Sequence, residues 1–109
     1  MTLVAVPKPS TVRNAAHLKA VAALPCVLWT TGLCFGYVVA HHVGAHGTGI
    51  KASDLSTAPL CVRHHRETHD FSGYFKGFDR AQMEAWEVDV VAQTLATLEG
   101  LKAGREVVW

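Results

Sequence analysis

The sequence predicts a small α+β domain, with a short two-stranded hairpin and a helix stapled by metal and a long C-terminal helix packed behind them. Three observations predict it. The chain has 109 residues, with 50% hydrophobic and 17% charged, which suits one folded domain; a domain of this size gains from a metal staple. Six of the seven histidines lie between positions 41 and 69, and all three cysteines lie between 26 and 61. An odd, low cysteine count fits poorly with a disulfide framework. The last third of the chain carries a helical period. Within this single domain, residues 1–23 read as an arm and short helix, 24–78 as the core, and 79–109 as the C-terminal helix.

Residues 1–10 hold two prolines and read as an extended arm. Ser10 or Thr11 could cap a helix that runs to about Ala23, with Val12, Ala15, Ala16, Lys19 and Ala20 at helical spacing. Pro25 stops it. Cys26 to Cys34 reads as a turn or knuckle with Thr30-Thr31-Gly32 at its tip. Phe35–His42 is aromatic and β-branched and reads as a strand. Three glycines make residues 43–56 a long loop; Thr57–Leu60 is a second short strand, and Val62–Asp70 a short helix. Residues 71–78 form a loop whose rings pack on the core, and Trp29, Tyr37 and Trp86 are also expected there. Asp79 and Gln82 make a capping box. Ala85, Val88, Val91, Ala92, Leu95, Leu98 and Leu101 then mark the inward face, Glu84, Glu87 and Asp89 the solvated one, and Gly100 or Gly104 the end.

Residues 20–50 contain no Asp, Glu, Lys or Arg, and Ala20–Ala40 is as long as a membrane span. Pro25, Gly32, Gly36, two threonines, two cysteines and the abrupt His41-His42 end argue against one. No basic leader precedes a short apolar core, so no signal peptide is expected, and the expected location is cytoplasmic.

The chemistry concentrates in Cys61-x2-His64-His65-x3-His69. On a helix His65 and His69 are four apart and can reach one cation. Cys61 and His64 are three apart, and His64 and His65 point about 100° apart, from 3.6 residues per turn. One short helix could therefore feed two metal sites. His41 and His42 end a strand, where successive side chains face opposite ways; one could bind metal and the other handle protons. Cys26 and Cys34 with Cys61 and His64 would make a Cys3His set for a closed tetrahedral zinc. Taken singly, each of these residues would be an ordinary buried or surface group.

Residues 24–69 resemble the HNH, or ββα-metal (His-Me finger), endonucleases, and among them the small phage and prophage nucleases of the recombination-enhancement type. Leu24-Pro25-Cys26, Ala40-His41-His42-Val43-Gly44-x-His46-Gly47-x-Gly49-x-Lys51, Asp54-Leu55 and Pro59-Leu60-Cys61-x2-His64-His65-x3-His69 carry the resemblance. It implies a ββα-metal core that hydrolyses DNA phosphodiesters. His42 matches the general base, and His41, His65 and His69 match ligands of a catalytic divalent cation (Mg2+, Mn2+ or Zn2+). Cys26, Cys61 and His64 match ligands of a structural Zn2+. Two departures stand out. Where the family commonly has the second cysteine of Cys-x2-Cys, this chain has Trp29, so either Cys34 replaces it from a longer loop or the structural zinc is lost. The middle Asn of the motif has Asp54 or Ser56 as its nearest counterpart.

The chemistry suits these residues. A dication neutralises the phosphodiester and the developing charge on the leaving 3′ oxygen, and a neutral imidazole can take a proton from the attacking water near pH 7. The base needs a partner on its other ring nitrogen, and a backbone carbonyl of the Gly44–Gly49 loop is expected to supply it. His46, Lys51, Arg63 and Arg66 are candidate nucleic-acid contacts. DNA is the expected partner in a bacterial host, at the nucleoid, with room for a recombination or phage protein beside it. A zinc-stapled nucleic-acid- or protein-binding module without catalysis is the second reading, and a small membrane protein the third. The formal net charge is only +1, but every acid lies at Asp54 or later and six of the nine lie from Asp79 onward. A positive face could then be local.

Overall fold

The computed structural model describes residues 13–44 and 53–109. The elements run α1 (Ala15–Ala22), a 3-10 turn (Trp29–Thr31), β1 (Val38–His42), β2 (Thr57–Cys61), α2 (Val62–Asp70), a second 3-10 turn (Gly73–Phe75) and α3 (Arg80–Lys102). The fold is a small α+β domain, with a two-stranded antiparallel sheet and helices packed around it. The expected arm, with Ser10 and Thr11, lies outside the described residues. The N-cap of α1 is Asn14, whose side chain accepts the His17 N–H at 2.9 Å.

In the sheet, Val38 stands opposite Cys61, His41 opposite Ala58 and His42 opposite Thr57. All five residues of β2 are buried, because α1 and α3 both pack on it. Pro59 is tolerated because β2 is an edge that needs no N–H there; its carbonyl accepts from Val27 at 3.0 Å. β1 is shorter than the expected Phe35–His42. The Phe35 and Tyr37 carbonyls turn instead to the N–H groups of Arg63 (3.2 Å) and Val62 (3.0 Å), serving first-turn donors that α2 cannot satisfy itself. Gly36 allows that approach: its φ is +82°, and a Cβ there would stand 2.9 Å from Val62 Cβ.

Phe75, fully buried, centres the core; Trp86 and Phe78 meet it edge-on at 4.7 and 5.3 Å. Trp29 and Tyr37 correct the expectation of core aromatics: they are 57% and 76% exposed, and Phe35 72%. That loop spends its inward positions on Cys26, Val27 and Leu28. Among the described residues no helix is long and apolar enough to cross a membrane. The uncharged Ala20–Ala40 stretch divides among α1, the 3-10 turn, a loop and β1.

The Asp79–Gln82 capping box opens α3, with both reciprocal bonds made, at 2.7 and 2.8 Å. At the other end Arg105 N–H reaches Gly100 O and Gly104 N–H reaches Leu101 O, a Schellman closure around Gly104 at φ +81°. Between these ends the helix is rotated from the expected phase. Met83, Val90 and Thr94 are buried, whereas Val88, Leu95 and Leu101 are exposed. Packing of Trp86 on Phe75 sets that rotation.

Two substitutions test this packing by urea denaturation at saturating zinc. Leu60→Ala should cost about 2–5 kcal/mol, as a fully buried truncation. Asp79→Ala should cost about 1 kcal/mol, as a lost cap.

Candidate metal centres

Cys61 ends β2 and caps α2, its sulfur accepting the His64 N–H at 3.4 Å. That places the sulfur and the His64 ring on the same first turn. His64 Nδ1 lies 3.5 Å from Cys26 Sγ, 3.6 Å from Cys34 Sγ and 3.1 Å from Cys61 Sγ. A tetrahedral zinc with Zn–S of about 2.3 Å and Zn–N of about 2.05 Å separates sulfur from nitrogen by about 3.5 Å. The four residues lie close enough together to bind a metal such as zinc, with Cys34 supplied by the longer loop. Behind the ring, Glu67 Oε1 lies 4.0 Å from His64 Nε2, in the position of an outer partner for a ligating imidazole. Burial foremost, then the sulfurs of Cys26 and Cys61, pushes the Cys34 thiol up to about 12. A bound metal would displace that proton and offset the charge of the thiolates.

The second group is His41, His65 and His69. The Nε2 atoms of His65 and His69 stand 3.3 Å apart, close to the separation of about 3.35 Å for two imidazoles on one tetrahedral ion. The His41 ring lies 5.0 Å from His65 and 5.9 Å from His69 between centroids. Burial, with His41 and His69 alongside, pushes His65 down to about 4, which leaves it neutral at pH 7, the form that binds metal. The donor set therefore fits a cation.

His42 faces the other way from its strand neighbour. Its Nε2 meets Asp54 Oδ1 at 2.9 Å; residues 45–49 of the glycine loop, from which a carbonyl partner was expected, lie outside the described residues. Asp54 is well anchored: Arg13 Nη1 donates to Oδ1 at 2.9 Å and the Asn14 N–H to Oδ2 at 2.8 Å. The His42 hydrogen bond foremost, then the Asn14 N–H and Arg13, hold the Asp54 carboxyl down at about 2, against an ordinary 3.8. Ser56, the other counterpart of the motif's Asn, braces the strand end by donating to Val43 O at 2.9 Å.

His41, His42, His69, Arg80, Glu84 and Glu87 share a cleft of about 380 Å³. Arg63 and Arg66 are not brought to it. They line a separate depression with Phe35 and Glu67, where Arg63 Nε donates to Glu67 at 3.3 Å. His46 and Lys51 lie outside the described residues. Glu87 and Arg80 escaped the sequence reading. Glu87, expected on the solvated face, instead lies 2.6 Å from His41 Nε2 with its side chain 17% exposed. Its signal was the spacing Met83, Glu87, Val90, Thr94, one inward stripe of α3.

Comparison with protein families finds one model, described as a protein of unknown function (DUF968), matching residues 1–95. The chain belongs to the DUF968 family. The matched residues contain both Cys/His groups, Asp54 and Glu87, so every centre described above lies within the DUF968 match. No curated protein and no solved structure matches the chain.

The Asp54 anchor makes stability depend on pH. A carboxyl held below its ordinary value stabilises the fold above pH 4 and loses that contribution as the pH falls towards 2. Urea midpoints should therefore separate wild type from Asp54→Asn most at pH 4 and above, and the gap should close by about pH 2. Zinc analysis should find one tightly held ion that Cys61→Ser releases. Less than half an ion per chain in carefully purified protein would contradict the Cys3His centre.

Proposed function

We propose that this DUF968 protein is a metal-dependent endonuclease that hydrolyses DNA phosphodiester bonds on a ββα-metal core. The observation that carries the reading is the division of labour at the end of β1: His41 joins the His65–His69 pair, while His42 meets Asp54, and both histidines line one cleft.

A divalent cation held by His41, His65 and His69 would neutralise a phosphate oxygen and the charge developing on the leaving 3′ oxygen. The protein's own residues would do the rest. Asp54 accepts from His42 Nε2, which leaves Nδ1 as the basic nitrogen. His42 Nδ1 takes the proton of the attacking water, and Asp54 holds the ring in that tautomer. Arg13 and the Asn14 N–H keep Asp54 ionised and prevent it from turning away. Arg80, on the cleft wall, offers a cation to a flanking phosphate. The Cys3His zinc would hold β2 and α2 together, and with them His65 and His69.

Phosphate contacts position a duplex without reading its sequence, and exposed rings offer stacking surface. Phe35 lies beside Arg63 and Arg66 in the second depression, and Trp29 and Tyr37 are exposed on the same loop. Those features suit DNA as partner; the cytoplasm of a bacterial host, with a recombination or phage protein alongside, is what the resemblance to the phage-type nucleases implies. The same features suit a binding module without catalysis equally well. The His42–Asp54 pair favours the nuclease, because a binding module needs no oriented imidazole in a cleft with cation ligands.

Plasmid nicking tests the reading. Purified protein with its zinc retained should nick supercoiled DNA when Mg2+, Mn2+, Zn2+ or Co2+ is supplied. His42→Ala should lower the rate about 10²–10⁴-fold with zinc content and fold unchanged. Full cleavage by that variant would remove His42 as the base. DNA binding without nicking under any of these ions would favour the binding module.

A further inference from the structure

Glu87 lies on the inward stripe of α3. Met83, Val90 and Thr94, four before and three and seven after it, are all buried, and a carboxylate on that stripe needs a donor to offset its desolvation. The donor is His41 Nε2 at 2.6 Å, with the His41 and Glu87 side chains only 6% and 17% exposed. The two residues are 46 positions apart, one on β1 and one on α3, so the contact is made by the fold and not by local sequence. A neutral imidazole carries one N–H. A carboxylate acceptor places that hydrogen on Nε2 and leaves the lone pair on Nδ1. The His41 ring stands 5.0 Å from His65 and 5.9 Å from His69 between centroids. The ligand atoms that converge there belong to the three imidazoles, and Glu87 stands behind one of them.

We propose that Glu87 is a positioning residue of this centre: it holds the Nε2–H of His41, so that His41 presents Nδ1 to the cation shared with His65 and His69. Histidines that bind metal commonly give their other N–H to a carboxylate, which fixes the tautomer and the ring orientation and makes the ligating nitrogen more basic. His65 and His69 face each other through Nε2 at 3.3 Å, so the centre combines one Nδ1 donor with two Nε2 donors. The role also gives the phase of α3 a consequence. Trp86, the residue before Glu87, packs on Phe75 with ring centroids 4.7 Å apart, and the same rotation of the helix aims Glu87 at the ring. In this way α3 takes part in the centre without touching the ion.

The inference rests on the cation site of the nuclease reading, and its test needs no DNA. The full chain is loaded with two equivalents of Zn2+, and its histidine rings are read by long-range 1H–15N correlation. His41 should show a protonated Nε2 and a metal-bound Nδ1, and His65 and His69 a metal-bound Nε2. Glu87→Ala should weaken binding of the second ion about 10–100-fold, the loss usual for an outer partner, and Glu87→Gln, which keeps an acceptor, should lose less. With Co2+ as the second ion, the d–d bands should stay the same in Glu87→Gln as in wild type, because the ligand set is unchanged. In Glu87→Ala the His41 Nε2–H signal should move upfield as its carboxylate acceptor is lost, a change that a merely structural role would not produce. Zinc in the Cys3His set and circular dichroism confirm that each variant is folded. A metal-bound Nε2 on His41, or binding of the second ion by Glu87→Ala within about threefold of wild type, would overturn the role of Glu87 and leave the cation site standing. Failure of wild type to bind a second ion would overturn the site and the role together. Failure to nick DNA by protein that binds the ion would count against the nuclease reading alone.

Discussion

Cys61 ends β2, caps α2 and points its sulfur at His64 Nδ1, 3.1 Å away. The rest of the molecule hangs on that one side chain. Its strand partner is Val38, so it sets where β1 begins. Its cap starts α2, so it sets which residues occupy each face of that helix. His64 then turns towards the sulfurs of Cys26 and Cys34, while His65, one residue on, points about 100° away and meets His69 and His41. Two centres separated by a single residue can be held rigidly only if the first turn of α2 is fixed. A metal on three sulfurs and one nitrogen would fix it more firmly than the few apolar side chains of a domain this small.

The elements with a strong local signature were legible in the sequence. Val62–Asp70 and the Asp79–Gln82 box carry their own punctuation, and the helices start where that punctuation lies. The convergence of Cys26, Cys34, Cys61 and His64 was legible from residue type and helical spacing, even with an unusual gap between the first two cysteines. What could not be read were features set by tertiary partners. The phase of α3 depends on Trp86 meeting Phe75, not on the apolar pattern of the helix alone, so Val88 and Leu95 face out. Phe35 and Tyr37 leave the strand because their carbonyls serve α2. Asp54 was legible as a counterpart of the motif's middle Asn, but its hold on His42 through a shared anchor with Arg13 and Asn14 joins residues forty positions apart.

Charge reads differently once the structure is in hand. The acids crowd into the second half of the chain, and six of nine fall from Asp79 onward. As a solvated rear helix that segment would be a poor neighbour for a phosphate backbone. In the fold, α3 turns Glu87 towards His41 and places Glu84 and Arg80 on the same cleft. Acidity gathered around a candidate cation site would be no obstacle to an anionic ligand, because with an ion bound the local charge would be the sum of the ion and the carboxylates near it. A net charge of +1 therefore says little about what the cleft can attract.

The two adjacent histidines of β1 owe their different surroundings to register. His41 and His42 differ by one position, and a one-residue slip of β1 on β2 would exchange their faces. The wrong imidazole would then face Glu87, and the other would face Asp54. A two-stranded sheet has little intrinsic hold on register, so the hold must come from its ends. At one end Cys61 is committed to α2 and its neighbours. At the other, Val43 N–H donates to Ser56 O, and Ser56 Oγ donates back to Val43 O, both at 2.9 Å. Thr57, opposite His42, donates to the Asp54 carbonyl at 2.9 Å, which ties the start of β2 to the carboxylate that holds His42. The strand cannot slip without breaking the contact that gives His42 its orientation, so the same short hydrogen-bonded corner that fixes the fold also keeps each histidine with its own carboxylate.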